Sequence, residues 1–211
     1  MKSLKSMKCA TLFIGAPRRL RSFALALCSV VVLAGCTRDK PSFANVDITG
    51  ADYARGFALT DHNGTPRTLA DFKGKAVVLF FGYTQCPDVC PTTMAEMAAV
   101  MQSLGKDADR VQVMFVTVDP ERDKPALLAQ YVPNFDKRFL GLYGDAAVTE
   151  KTTRDFKVVA SKVAGKTPGA YTFDHTAGSY VFDPQGRIRL FIRHGQGAEP
   201  IARDLKILLA G

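Results

Sequence analysis

Two apolar runs with a helical stretch between them restrict this chain more than any other feature. Ala76-Val77-Val78-Leu79-Phe80-Phe81 holds no polar residue, is rich in β-branched and aromatic side chains, and is too short for a helix so fully apolar. It is predicted to be a central strand buried on both faces. Val111 to Val118 forms a second, largely apolar run, and from Pro91 to Leu104 between them the apolar residues fall at helical spacing. Strand, helix and strand at this separation predict a βαβ unit with parallel strands and a sheet covered on both sides.

The remaining pattern completes this core. Phe57 to Thr60 and Thr65 to Leu69 flank Asp61-His62-Asn63-Gly64, a hairpin in which Asn-Gly supplies the positive backbone angles of a tight turn. His62 at that tip is expected to be solvated. Pro125 to Tyr131 and Asp145 to Phe156 are predicted helices, with the short apolar segment Phe139 to Tyr143 between them. Ser179 to Phe182 and Ile188 to Ile192 flank the turn Asp183-Pro184-Gln185-Gly186, a second hairpin, and Ala198 to Leu209 is an amphipathic helix. A parallel βαβ core followed by a hairpin and a terminal helix is the layout of a thioredoxin-like α/β fold, here with a mixed central sheet and an N-terminal β-hairpin extension. Met94, Met97 and Met101 share one helix face and are expected in the core rather than on a metal.

The N-terminal stretch carries different information. Lys2, Lys5, Lys8, Arg18, Arg19 and Arg21 precede residue 36 without a single acidic residue, and they are followed by the 12-residue run Phe23 to Ala34 and by Leu33-Ala34-Gly35-Cys36. A basic segment, a short apolar core and a small-residue ending make a secretory signal peptide, and the final four residues resemble the bacterial lipobox. The expected division is residues 1–35 as a lipoprotein-type signal, 36–52 as a lipidated N-terminus and tether, and 53–211 as the folded domain. Acylation at Cys36 would hold the chain on the periplasmic face of a membrane, the inner membrane on functional grounds. Without the six basic residues of the signal the formal charge of +8 falls to +2, which removes the case for a nucleic-acid groove.

Processing leaves Cys86 and Cys90 as the only cysteines besides the lipidated one. A disulfide closing so short a loop removes little entropy from the unfolded chain, so this pair is expected to be chemical rather than structural. Cys86-Pro87-Asp88-Val89-Cys90-Pro91 lies directly after the central strand and opens the helix. Pro91 suits a first helical turn and places Cys90 at or beside the N-cap, whereas Thr93-x-x-Glu96 fits a capping box and a start two residues later. Either start leaves both sulfurs near the positive helix end, which favours thiolates. A separation of four residues is compatible with a disulfide and with two thiolates converging on one metal ion.

A soft-metal site needs a third ligand, and the chain has only His62, His175 and His194. His175 is the candidate, because Asp174-His175-Thr176 stands just ahead of the strand Ser179 to Phe182, where thioredoxin-like oxidoreductases usually carry a cis-proline. His194 reads as an exposed loop residue.

Phe81-Gly82-Tyr83-Thr84-Gln85-Cys86-Pro87-Asp88-Val89-Cys90-Pro91, Thr117-Val118-Asp119-Pro120-Glu121-Arg122-Asp123 and Asp174-His175-Thr176 together resemble the Sco/SenC family of copper-binding cytochrome oxidase assembly proteins. The resemblance covers residues 45 to 209. It implies copper, as Cu(I) or Cu(II), on Cys86, Cys90 and His175, delivered to the subunit of cytochrome c oxidase that carries the CuA centre. Other copper chaperones or a thioredoxin-like reductant are implied as further partners. A Cys2His set suits copper, while a closed structural zinc site usually has four ligands. Asp174 either orients His175 or is solvated. Asp119 is a candidate for support of the metal site or for partner docking, and Glu121 and Asp123 are expected to be capping and solvated charges. A chaperone of this kind is not an enzyme. The alternative is a membrane-anchored thiol-disulfide oxidoreductase in which Cys86 and Cys90 cycle.

Overall fold

The central run forms β4, Ala76–Gly82, in which every residue is buried. It pairs in parallel with β5, Val111–Thr117, which is equally buried, and the two are joined by helix α1, Val89–Leu104. The computed structural model describes residues 41–211. Its signal and lipidation assignments, including Cys36, therefore lie outside the described residues.

The other strands in chain order are β1 (Val46–Asp47), β2 (Ala58–Asp61), β3 (Pro66–Thr68), β6 (Leu140–Tyr143), β7 (Ala160–Ala164), β8 (Tyr171–His175), β9 (Gly178–Phe182) and β10 (Ile188–Arg193). Helices α2 (Pro125–Tyr131), α3 (Ala146–Asp155) and α4 (Ala198–Ala210) complete the set. Eight strands make one mixed sheet in the order β1-β10-β9-β4-β5-β6-β2-β3. Only β4, β5 and β6 run parallel to their neighbours among themselves. β9 returns antiparallel against the other edge of β4, and the β2–β3 hairpin extends the sheet beyond β6. This is the expected thioredoxin-like α/β arrangement. α1 and α4 pack against each other over the sheet, burying Met94, Met97 and Met101 with Leu205 and Leu208, so the three methionines are core residues.

Four local expectations need correction. The stretch read as a tether is docked from Ala44 onward: the carboxylate of Asp204, 1% exposed, accepts from the Ala44 and Asn45 N–H groups at 3.0 and 2.8 Å, and β1 then pairs with β10. His62 is not a solvated tip residue. It is half-buried, and its Nδ1 accepts from the Gly141 N–H at 2.9 Å, which stitches the β2–β3 turn onto β6. Helix α1 begins at Val89, earlier than either reading of its start, and Pro91 is accommodated because first-turn N–H groups have no intrahelical partner. The Thr93/Glu96 capping box is not made: Glu96 accepts from the Gly197 N–H at 2.6 Å, and Thr93 Oγ1 lies 3.1 Å from His194 Nδ1.

One element has no precedent in the sequence reading. β7 and β8 form a separate two-stranded antiparallel sheet, with Ala160 opposite His175 and Ala164 opposite Tyr171. Ser161–Ala164 is exposed throughout, so no alternation of apolar and polar residues marks β7 as a strand.

Candidate metal centre

The site is assembled from three pieces of chain that meet at one end of β4. The first is the turn between β4 and α1, which carries both cysteines. Cys86 precedes the helix and is half-buried, whereas Cys90 lies in its first turn and is completely buried. The Cys90 N–H points at Cys86 Sγ across 3.5 Å, as expected for a free donor at a helix N-terminus. Gly82, the last residue of β4, leaves the room that Cys90 occupies: a Cβ there would stand 2.9 Å from Cys90 Sγ.

The second piece is the β7–β8 hairpin, whose last residue is His175. Its Nε2 lies 3.5 Å from Cys90 Sγ, and the three donor atoms of Cys86, Cys90 and His175 fall within 4.8 Å of one another. His175 Nδ1 is 3.2 Å from the Thr176 carbonyl oxygen. A carbonyl only accepts, so Nδ1 carries the proton and the Nε2 lone pair faces the sulfurs. Phe80 and Tyr83 set their rings edge-on to the imidazole, with centroids 6.2 and 5.9 Å away, and fix its plane.

The electrostatics separate the two thiols. Burial opposes ionisation of Cys86, but hydrogen bonds from the Asp88 backbone and from Cys90 outweigh it and hold this thiol below its ordinary value. Burial pushes the Cys90 thiol far up, and the neighbouring Cys86 and the carboxylate of Asp123 add to the effect. Burial also lowers the His175 value, only partly offset by the Thr176 carbonyl and Asp174, so the imidazole is neutral at pH 7. A neutral imidazole, one readily formed thiolate and one thiol that a metal can deprotonate make a donor set for a soft cation.

The third piece is the loop after β5. Asp119, 1% exposed, accepts from Arg122 Nε and from the Tyr171 hydroxyl at 3.0 Å, so it touches the histidine-bearing hairpin and not the ligands. Asp123 is not a solvated charge. It is 2% exposed and accepts from Thr84 N–H at 3.0 Å, Thr84 Oγ1 at 2.6 Å and Thr117 Oγ1 at 2.6 Å, tying the cysteine turn to the end of β5. Glu121 is exposed and paired with Lys162 at 2.7 Å. Asp174 is exposed, and the contact to His175 Nδ1 comes from the Thr176 carbonyl instead. His194 is exposed as expected. Tyr83, Arg122 and Tyr171 were not singled out from the sequence. Two of the three lie inside the quoted motifs, which is the signal that pointed near them.

Cys86 and His175 line an open cleft of 480 Å³, together with Tyr83, Pro87 and Phe173. With this geometry in hand, residues 46–210 match the family model described as SCO1/SenC. The chain belongs to the SCO1/SenC family. It is 36% identical over 152 residues to "Protein SCO2 homolog, mitochondrial" of Mus musculus, covering 71% of this chain and 60% of that relative, so it spans about three fifths of the relative's length. Among solved structures it is similar to Bradyrhizobium japonicum ScoI with copper bound, at 45% identity and a TM-score of 0.67, covering 72% of this chain and 97% of that one. A SCO1/SenC family lipoprotein from Bacillus anthracis is 28% identical with a TM-score of 0.63, covering 72% of this chain and 92% of the other.

Proposed function

We propose that this SCO1/SenC protein is a copper metallochaperone that holds Cu(I) or Cu(II) on Cys86, Cys90 and His175 and passes it to the cytochrome c oxidase subunit carrying the CuA centre. The observation that carries the reading is the imidazole: its Nδ1–H is committed to the Thr176 carbonyl, and its bare Nε2 stands 3.5 Å from a buried cysteine sulfur. A dithiol used only for disulfide exchange has no need of an oriented lone pair there. Copper-bound ScoI of Bradyrhizobium japonicum supports the choice of metal.

Transfer follows from the unequal burial of the ligands. Cys90 is completely buried, while Cys86 and His175 both border the cleft. An incoming thiolate or imidazole of the acceptor would enter the cleft and replace a cleft-facing ligand, Cys86 or His175, before the buried Cys90. The metal then leaves by successive ligand exchange without passing through water. Among the described residues no helix is long and apolar enough to cross a membrane. The lipobox-like ending at Cys36, with a lipoprotein among the similar structures, supports a lipid anchor on the periplasmic face of the inner membrane, next to an oxidase.

The unequal cysteines also favour a second reading. A half-exposed Cys86 with a lowered pKa suits attack on a target disulfide, and Cys90 is placed to resolve the mixed disulfide. The two are separated by an anaerobic Cu(I) titration of the reduced protein against a chelating competitor, with His175→Ala alongside. One tightly held copper per chain, weakened about 10-fold or more in the variant, is the expected result. Weak binding that ignores His175 would establish the oxidoreductase instead.

A further inference from the structure

His175 is delivered by an element with little support of its own. The β7–β8 hairpin pairs only with itself, and an isolated two-stranded hairpin is marginal in water. Its β7 strand is exposed from Ser161 to Ala164. Something outside the hairpin must therefore fix the distance from His175 to the cysteines.

Tyr83 packs on Phe173 and His175 of the hairpin, and the loop after β5 adds a polar hold through one side chain. The Arg122 guanidinium lies over the Tyr171 ring at 3.6 Å from its centroid, and Nη1 donates to the Tyr171 carbonyl at 3.0 Å. The same Nη1 donates to Gln85 Oε1 at 3.1 Å, one residue before Cys86, while Nε is tied to the buried carboxylate of Asp119. Asp119 in turn accepts from the Tyr171 hydroxyl. From the other strand of the hairpin, Lys162 stands 3.7 Å from the same ring centroid and pairs with Glu121 of the loop. Two cations that close to one centroid occupy opposite faces, so the tyrosine is gripped on both sides. Arg122 thus touches the cysteine turn and the histidine hairpin at once while braced on Asp119 of its own loop. A planar fork that stacks and donates in several directions does this, and a lysine does not.

We propose that Arg122, acting through Tyr171, is a positioning residue that sets the distance of His175 from Cys90 and so governs how fast copper is released. The inference rests on the copper reading above. Loosening this clamp lets the hairpin swing, removes the imidazole from the metal and leaves the two thiolates in place. Copper should then be lost faster, by the 10- to 100-fold typical of groups that orient a ligand, about the same order as removing the imidazole itself.

The test measures copper release to an excess of chelator for the intact protein, Arg122→Ala, Arg122→Lys, Tyr171→Ala and Tyr171→Phe, each with and without His175→Ala. The Cu(II) electron paramagnetic resonance signal is recorded in parallel for coupling to a ligand nitrogen. Arg122→Ala and Tyr171→Ala should speed release about 10-fold or more and weaken the nitrogen coupling, Arg122→Lys should fail to restore either, and Tyr171→Phe, which keeps the ring, should stay closer to the parent. In the His175→Ala background Arg122→Ala should change release by less than about twofold, because its effect runs through the missing imidazole. Equal acceleration with and without His175 would show a general loosening of the fold and overturn the proposal, as would parental release in Arg122→Ala. Failure of the parent protein itself to bind copper would instead refute the copper reading, and the clamp's role in release with it.

Discussion

Replacing Gly82 by alanine puts one methyl group into a crowded, fully buried point beside the metal ligands. A Cβ at this position would lie 2.8 Å from Phe80 Cε1, 2.9 Å from Cys90 Sγ and 2.9 Å from Phe115 Cε2. Comfortable carbon contacts are about 3.5–4.0 Å, so each neighbour must retreat by more than half an ångström. Neither ring has room to do so: Phe80 and Phe115 are fully buried and packed on each other with centroids 6.0 Å apart. Overpacking of this kind costs about 1–3 kcal/mol. For a domain of this size that lowers the melting temperature by about 2–4 °C per kcal/mol, a fall of roughly 2–12 °C. The third neighbour makes the substitution informative about function, because whatever relief the core finds by moving Cys90 also changes its distance from His175. Calorimetry of the apo protein, with the sulfur-to-copper absorption of the Cu(II) form, reads both effects. Gly74→Ala is the control. Gly74 has φ +91° and open space around its missing Cβ, so its substitution strains the backbone and leaves the metal spectrum alone. An unchanged melting temperature together with an unchanged spectrum in Gly82→Ala would refute the packing argument.

The two thiols should differ sharply towards a small alkylating agent. At pH 7 modification is expected at Cys86, with a pH midpoint below that of an ordinary thiol, while Cys90 stays protected by its burial and raised pKa; peptide mass spectrometry over a pH series reads this, and preferential labelling of Cys90 would contradict it. Asp204→Ala should free the N-terminal edge of the sheet. It removes the acceptor of three hydrogen bonds, from Ala44 N, Asn45 N and Asn45 Nδ2, at a cost of about 1–3 kcal/mol for the buried donors left unsatisfied, and should expose residues 44–50 to protease before the rest of the domain unfolds.

The parts legible from sequence are those where one local signal outweighs all others. A six-residue apolar run such as Ala76 to Phe81 has no stable place except inside a sheet, and the helical spacing that follows forces the parallel crossover, so the core of the fold could be read directly. The cysteine turn was legible for the same reason: two cysteines after a buried strand, with a proline suited to a helix start, define the end of the sheet where chemistry can occur. His175 was reached by elimination among three histidines and by its place before β9.

Tertiary structure decided what local signals cannot carry. His62 and Asp123 look like surface residues in sequence, yet each is drawn inward by a partner far along the chain, Gly141 for one and Thr84 for the other. The β7–β8 hairpin was invisible because its first strand is exposed and much of its hold on the domain is made through Arg122, Lys162 and the two faces of Tyr171, beside the packing of Phe173 on Tyr83. Asp119 supports the site by way of that hairpin and of Arg122, and the proton on His175 is set by a backbone carbonyl, which no side-chain pattern records. Hydrophobic burial follows a period along the chain and can be read from it. Hydrogen bonds, ring stacking and ion pairs between distant segments depend on where the folded backbone brings those segments, and only the three-dimensional arrangement determines them.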